Sequence, residues 1–185
     1  MKDRQLEKKI LEKINLFWGK SPKFNSLLDV RDGDTPLIMF LVYNKLIHLS
    51  DDKQIDYLIK NSDLSYTTNN GWNSLMFAIH YQYSQKLSQE QWLYLIDNSN
   101  LLQVETYYRI PIRSVLGLAV NNAGKKLNLA DHIFEKAISN KKFKLKNYEN
   151  DVNYLEIQET VKRLKTKNKI EKNLKISSRP NNLKI

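Results

Sequence analysis

The sequence predicts an all-α chain, a short helical-repeat solenoid with an N-terminal capping helix and a basic C-terminal helix. Three observations carry this. Only five glycines and four prolines interrupt 185 residues. Apolar residues recur at three- and four-residue steps, the spacing of one helix face. A block beginning at Asp32 is echoed 38 positions downstream, and a period of that size implies stacked units that cannot bury their apolar faces alone.

The first segment, residues 1–20, places Leu6, Ile10, Ile14 and Phe17 on one face and Lys2, Glu7, Lys8, Glu12 and Lys13 on the other. That is an amphipathic helix made to dock on a neighbour, ended by Gly19, Ser21 and Pro22. The repeats occupy residues 21–147, as units at about 30–68, 69–106 and 107–147. In the first, Asp32-Gly33-Asp34-Thr35-Pro36-Leu37 leads into Ile38-Met39-Phe40-Leu41. In the second, Asn70-Gly71-Trp72-Asn73-Ser74-Leu75 leads into Met76-Phe77-Ala78-Ile79. The second helices match as well, Tyr57 to Leu64 with Tyr94 to Leu101. A weaker third copy aligns Ser114 to Val120 with Asn73 to Ile79 and predicts a partner helix over Asn128 to Ser139.

Local chemistry supports these starts. Thr35 is an N-cap before a proline whose missing N–H costs nothing at the first helical position, and Asn73 caps the equivalent helix. Ser88-Gln89-Glu90-Gln91 has the reciprocal spacing of a capping box, while Ser50 followed by Asp51 and Asp52 supplies a cap and two carboxylates to a positive helix end. Gly33 and Gly71 each stand two residues before a cap, where a tight turn needs positive φ.

On these residues the chain resembles the ankyrin repeat family, whose unit is a β-turn followed by two antiparallel helices with a Thr-Pro-Leu start. Thr35-Pro36-Leu37 keeps that signature. Asn61-Ser62-Asp63-Leu64 looks like the family's connector between units. The match spans roughly residues 20–140. It departs from the family in units of 38 to 41 residues rather than about 33, in Ile38 or Met76 where the family has histidine, and in a third turn with Pro111 in place of glycine. The extra length is expected at Lys45–Ser50, Tyr83–Ser88 and Gly124–Asn128.

The resemblance implies a recognition surface of turn tips and the inner face of each first helix. The matching positions are Arg31, Asp32, Asp34 and Tyr43 in the first unit, and Asn69, Asn70, Trp72, His80 and Tyr81 in the second. Tyr108, Arg113, Asn121 and Asn122 follow in the third. Trp, Tyr and Arg dominate interface energetics, which singles out Trp72; packing against its own turn or the next unit is the competing reading. A protein partner follows from this surface. Inhibitor, immunity-type, adaptor and effector roles all fit such a module.

Residues 141–185 hold 13 Lys or Arg against 5 Asp or Glu, and so carry +8 of the net charge of +10. Tyr154, Ile157, Val161 and Leu164 define an amphipathic helix from Asp151 to about Lys175, within a C-terminal segment of 148–185. Lys162, Arg163, Lys165, Lys167 and Lys169 crowd its later half. They offer a second reading, attachment to nucleic acid or an anionic membrane surface, against the plainer one of a capping helix with a solvated charged face.

No catalytic or cofactor pattern emerges. Cysteine is absent, and His48, His80 and His132 fall in separate units, so no metal-ligand spacing is present. Gly124-Lys125-Lys126 is not a phosphate loop, and nucleophile-elbow, dinucleotide and kinase signatures are missing. A non-catalytic chain without cofactor or metal is expected. The longest apolar run, Leu37–Tyr43, is seven residues where a span needs about twenty. No hydrophobic signal core follows Met1-Lys2-Asp3-Arg4-Gln5. A soluble, cytoplasmic protein is expected, and delivery into another cell is compatible with the same features.

Overall fold

A computed structural model describes residues 2–18, 23–42, 46, 50–81, 86–106, 112–121 and 129–177. Within them the chain is all-helical: α1 Lys2–Trp18, α2 Pro36–Val42, α3 Asp52–Asn61, α4 Ser74–His80, α5 Gln89–Asn98, α6 Val115–Val120, α7 Ala130–Ser139, a 3₁₀ turn Leu145–Tyr148 and α8 Tyr154–Ser177. Among the described residues the only β-type pairings are isolated bridges at the turns and at the C-terminal junction.

The helix starts follow from short polar side chains. Thr35 Oγ1, Asn73 Oδ1 and Ser114 Oγ accept from the backbone N–H groups of Ile38, Met76 and Gly117 at 3.2, 3.0 and 2.9 Å. Each satisfies a donor that a first turn leaves orphaned. On α3 the cap is Asp51, accepting from Gln54 N at 2.8 Å, and not Ser50, because the carboxylate reaches the third residue of the helix. Ser88 and Gln91 form the full reciprocal box. α7 begins at Ala130 with no side-chain cap, two residues after the expected start. α8 begins at Tyr154, because Asp151 is spent on other contacts.

The turns differ in type although both carry glycine. Arg31 and Asp34 exchange two backbone hydrogen bonds of 2.8 Å around Asp32 (φ 51°) and Gly33 (φ 83°), the doubly positive geometry of a two-residue hairpin loop. In the second turn Gly71 N donates to Thr68 O at 2.8 Å and Thr68 N to Trp72 O at 2.9 Å. That is a three-residue loop whose last position, Gly71, takes φ 80°. Unit ends repeat too: Asp63, Asn100 and Asn140 each accept from the backbone N–H two residues on, and Asn61 and Asn98 each donate back to Tyr57 and Tyr94 at 2.8 Å.

Packing runs in chain order. α2 packs on α4, α4 on α6, and α6 on α8, while α1 packs on α3 and α3 on α5. α1 also covers α2, and α7 lies against α6 and α8. Buried side chains from Ile10 in α1 to Leu164 in α8 form one cluster. α2 and α6 are apolar on every side and are buried accordingly, from Pro36 to Leu41 and from Val115 to Val120. Polar pairs tie the neighbouring outer helices: Lys13 to Gln54 Oε1 at 2.6 Å, Gln91 to Asp52 O at 3.3 Å, and Lys136 to Asp97.

Both ends are closed by helices. α1 buries Ile10, Leu11 and Ile14, and its Asn15 straps the following segment through two 2.8 Å bonds with the Phe24 backbone. α8 buries Ile157, Val161 and Leu164; burying an aliphatic side chain fully stabilises by about 1.5–3 kcal/mol. Beyond Leu164 every described side chain of α8 is exposed.

Candidate functional site

The turns meet along one edge. Tyr66 O–H donates to Gly33 O at 3.0 Å, joining the first turn to the second. Thr106 N donates to Asn70 O at 3.0 Å, joining the second to the third. A Cβ on Gly71 would stand 2.9 Å from Thr106 N, so the backbones approach as closely as glycine permits.

Between the first two turns lies an open cleft of about 270 Å³ lined by Asp32, Gly33, Asp34, Thr68, Asn69, Asn70 and Phe77. Burial pushes the Asp34 carboxyl above its ordinary range, and the neighbouring Asp32 charge adds to the rise. Arg31 is turned toward Asp29, 3.8 Å away, while backbone N–H groups, Asn25 first, hold Asp29 low.

Beside the cleft is an aromatic ladder. Trp72 meets Phe77 and the edge of His80 at centroid distances of 5.1 Å each. Phe77 stacks on Tyr81 at 6.2 Å, and His80 meets Tyr81 at 4.9 Å. The Arg113 guanidinium sits 5.8 Å from the Trp72 ring centroid, a cation–π distance. Burial lowers the His80 pKa and the Arg113 charge lowers it further, which keeps the imidazole neutral at pH 7.

Of the residues expected from the sequence, Asp32, Asp34, Asn69 and Asn70 are gathered around the cleft, and Trp72, His80, Tyr81 and Arg113 form the ladder. Trp72 is not an exposed tip. It is 7% exposed, filling the gap between its turn and α4, and Tyr81, at 39%, and Arg113 are the ladder residues that offer surface. Asn121 caps the far end of α6, its N–H on Gly117 O at 3.3 Å, away from the turns. Tyr43, Tyr108 and Asn122 lie outside the described residues, as do His48, Tyr83 and, of the expected insertions at 45–50, 83–88 and 124–128, residues 45, 47–49, 83–85 and 124–128. The sequence reading missed Phe77, assigned there to the apolar helix face. The signal in the sequence was its four-residue spacing from Tyr81; in the structure Phe77 is half-buried where Leu75, Met76, Ala78 and Ile79 are buried.

On the basic helix, Arg163 forks onto Asp131 of α7, with one bond of 2.9 Å, and Lys167 lies 3.6 Å from Glu135. Arg163 holds the Asp131 carboxyl below its ordinary range. Two of the five candidate polyanion contacts are therefore turned onto the chain's own helix. Lys162, Lys165 and Lys169 remain exposed.

Ser114 and Asp151 are buried together, Ser114 Oγ donating to the carboxylate at 2.6 Å. The same oxygen accepts from Gly117 N, so the hydroxyl is committed to capping α6. Among the described residues no group of three or more His, Asp or Glu is placed to hold a metal ion, and no helix is long and apolar enough to cross a membrane. No family model, curated protein or solved structure matches the chain.

Proposed function

We propose that the chain is a non-catalytic protein-binding module, an ankyrin-like array of three helical hairpins closed by α1 and α8. One partner protein is held along the turn edge and the adjoining first-helix face. The observation that carries this reading is the edge itself: successive turns bond tip to tip, at Gly33 with Tyr66 and at Asn70 with Thr106. That juxtaposition sets an acidic cleft beside an aromatic ladder topped by Arg113. A side chain such as Tyr81, apolar in body and polar at its tip, is the kind that anchors interfaces. Short polar loop residues around it supply adaptable hydrogen bonds. The ankyrin resemblance itself rests on Thr35-Pro36-Leu37, the repeated caps and the repeated Asx turns.

Affinity capture tests it. The wild-type chain is compared with an Asn69→Arg, Tyr81→Ala, Arg113→Glu variant, whose changes all fall on exposed positions. A Lys53→Glu, Glu90→Lys variant on the opposite helices serves as control. Loss of a captured partner by the first variant alone is expected; equal retention by both contradicts the turn-edge reading.

A further inference from the structure

The exposed half of α8 carries a surface that the turn edge does not use. Lys162, Lys165, Lys169 and Lys172 are spaced three, four and three residues apart, so on a helix they fall within a sector of about 80° and span about 15 Å. All four are exposed, and none has a carboxylate within ion-pair distance among the described residues. The acidic residues of the helix, Glu156, Glu159 and Glu171, fall outside the sector. Arg163 and Lys167, on another face, pair with Asp131 and Glu135, while the buried face of Ile157, Val161 and Leu164 fixes the rotation of the helix and leaves the four lysines outward.

We infer that this lysine stripe binds the phosphate backbone of a nucleic acid without reading its sequence. A straight row of like charges fits a line of phosphates. Lysine supplies point charges, where base reading relies on the bidentate fork of arginine. A lipid surface fits less well. Ile170 and Leu174, exposed at 54% and 63%, are the apolar residues of this half among the described side chains, and they lie about 140° around the helix from the stripe's centre. A membrane that buried them would turn the lysines away, and two side chains are a thin apolar face for an interfacial helix. The inference is independent of the turn-edge reading.

The test uses the full chain, fluorescence anisotropy with a mixed-sequence DNA duplex of about 20 base pairs, and co-sedimentation with vesicles of phosphatidylserine and phosphatidylcholine. Four neutralised phosphates give a slope of log K on log salt of about −3.6, a loss of roughly 150-fold between 50 and 200 mM. Replacing Lys162, Lys165, Lys169 and Lys172 by Gln should abolish most binding and flatten that slope. Replacing Lys9, Lys23, Lys53 and Lys86, which are exposed elsewhere, removes equal charge and should leave most affinity in place. Circular dichroism verifies that both variants remain folded. Equal loss in the two variants, no duplex binding by the wild type, or vesicle binding in its place would each overturn the proposal.

Discussion

Gly117 and Asp151 compete for one space. A Cβ on Gly117 would stand 2.6 Å from the Asp151 carboxyl carbon, so the carboxylate of the C-terminal junction occupies the volume that a side chain in α6 would fill. Asp151 accepts there from Ser114 Oγ at 2.6 Å and from Asn153 N at 2.8 Å, while Val152 N donates to Ile112 O at 3.2 Å. This contact latches the segment leading into α8 onto the third unit.

Gly117→Ala should break the latch. Overpacking costs about 1–3 kcal/mol, and losing a charge-assisted buried hydrogen bond costs about 1.5–3 more, against about 1 returned by alanine's helix propensity. A net loss of about 1.5–5 kcal/mol is expected in urea unfolding. An unchanged midpoint would show that Asp151 has room to move.

The same latch makes stability depend on pH. Burial raises the Asp151 carboxyl above its ordinary 3.8, despite the hydrogen bonds from Ser114 and Asn153 that lower it. Between the unfolded value and the raised folded one, the folded chain binds more protons, so stability falls as pH rises through that window. The stability of wild type relative to Asp151→Asn should therefore be greatest near pH 4 and decline upward. A difference that is constant or grows with pH contradicts this.

Apolar contacts, not ion pairs, hold α8. Leu164→Ala, at a fully buried position, should cost about 2–5 kcal/mol. Arg163→Ala removes a pair whose side chains are 55% and 46% exposed, and should cost under about 1 kcal/mol. Chemical denaturation ranks the two, and the reverse order would mean that the charged fork does the docking.

The two turn glycines should differ. At Gly33 an added Cβ meets the Asn69 side-chain amide at 3.1 Å, whereas at Gly71 it meets the Thr106 backbone. Both substitutions pay about 1–2 kcal/mol for left-handed φ, and Gly71→Ala adds overpacking of about 1–3 kcal/mol. Equal thermal midpoints for the two would mean that the second and third turns do not abut.

What the sequence disclosed is what neighbours in sequence decide. Thr35, Asn73 and Ser88 are caps because a short side chain reaches its own helix three residues on. The buried stripes of α1 and α8 follow from spacing alone. Pairing across units is set by packing and leaves no local trace: nothing near Arg163 points to Asp131, 32 residues away. Trp72 looked like a tip because it stands in a turn, yet its ring is covered by Phe77 and His80 of α4, five and eight residues onward, and by Arg113. Asp151 stood only as the expected first residue of the last helix, and its burial depends on a missing side chain at Gly117.

The central claim is that successive helix pairs pile up in one direction, leaving their turns along an edge. With no native cysteine, spin labels can be placed through Lys60→Cys, Asp97→Cys and Ser139→Cys, exposed sites near the ends of α3, α5 and α7. Neighbouring helices lie about 8–10 Å apart. The array predicts that the 60–139 distance exceeds both the 60–97 and 97–139 distances and approaches their sum, about 20 Å between backbones. Three comparable distances, as in a closed bundle, would contradict it.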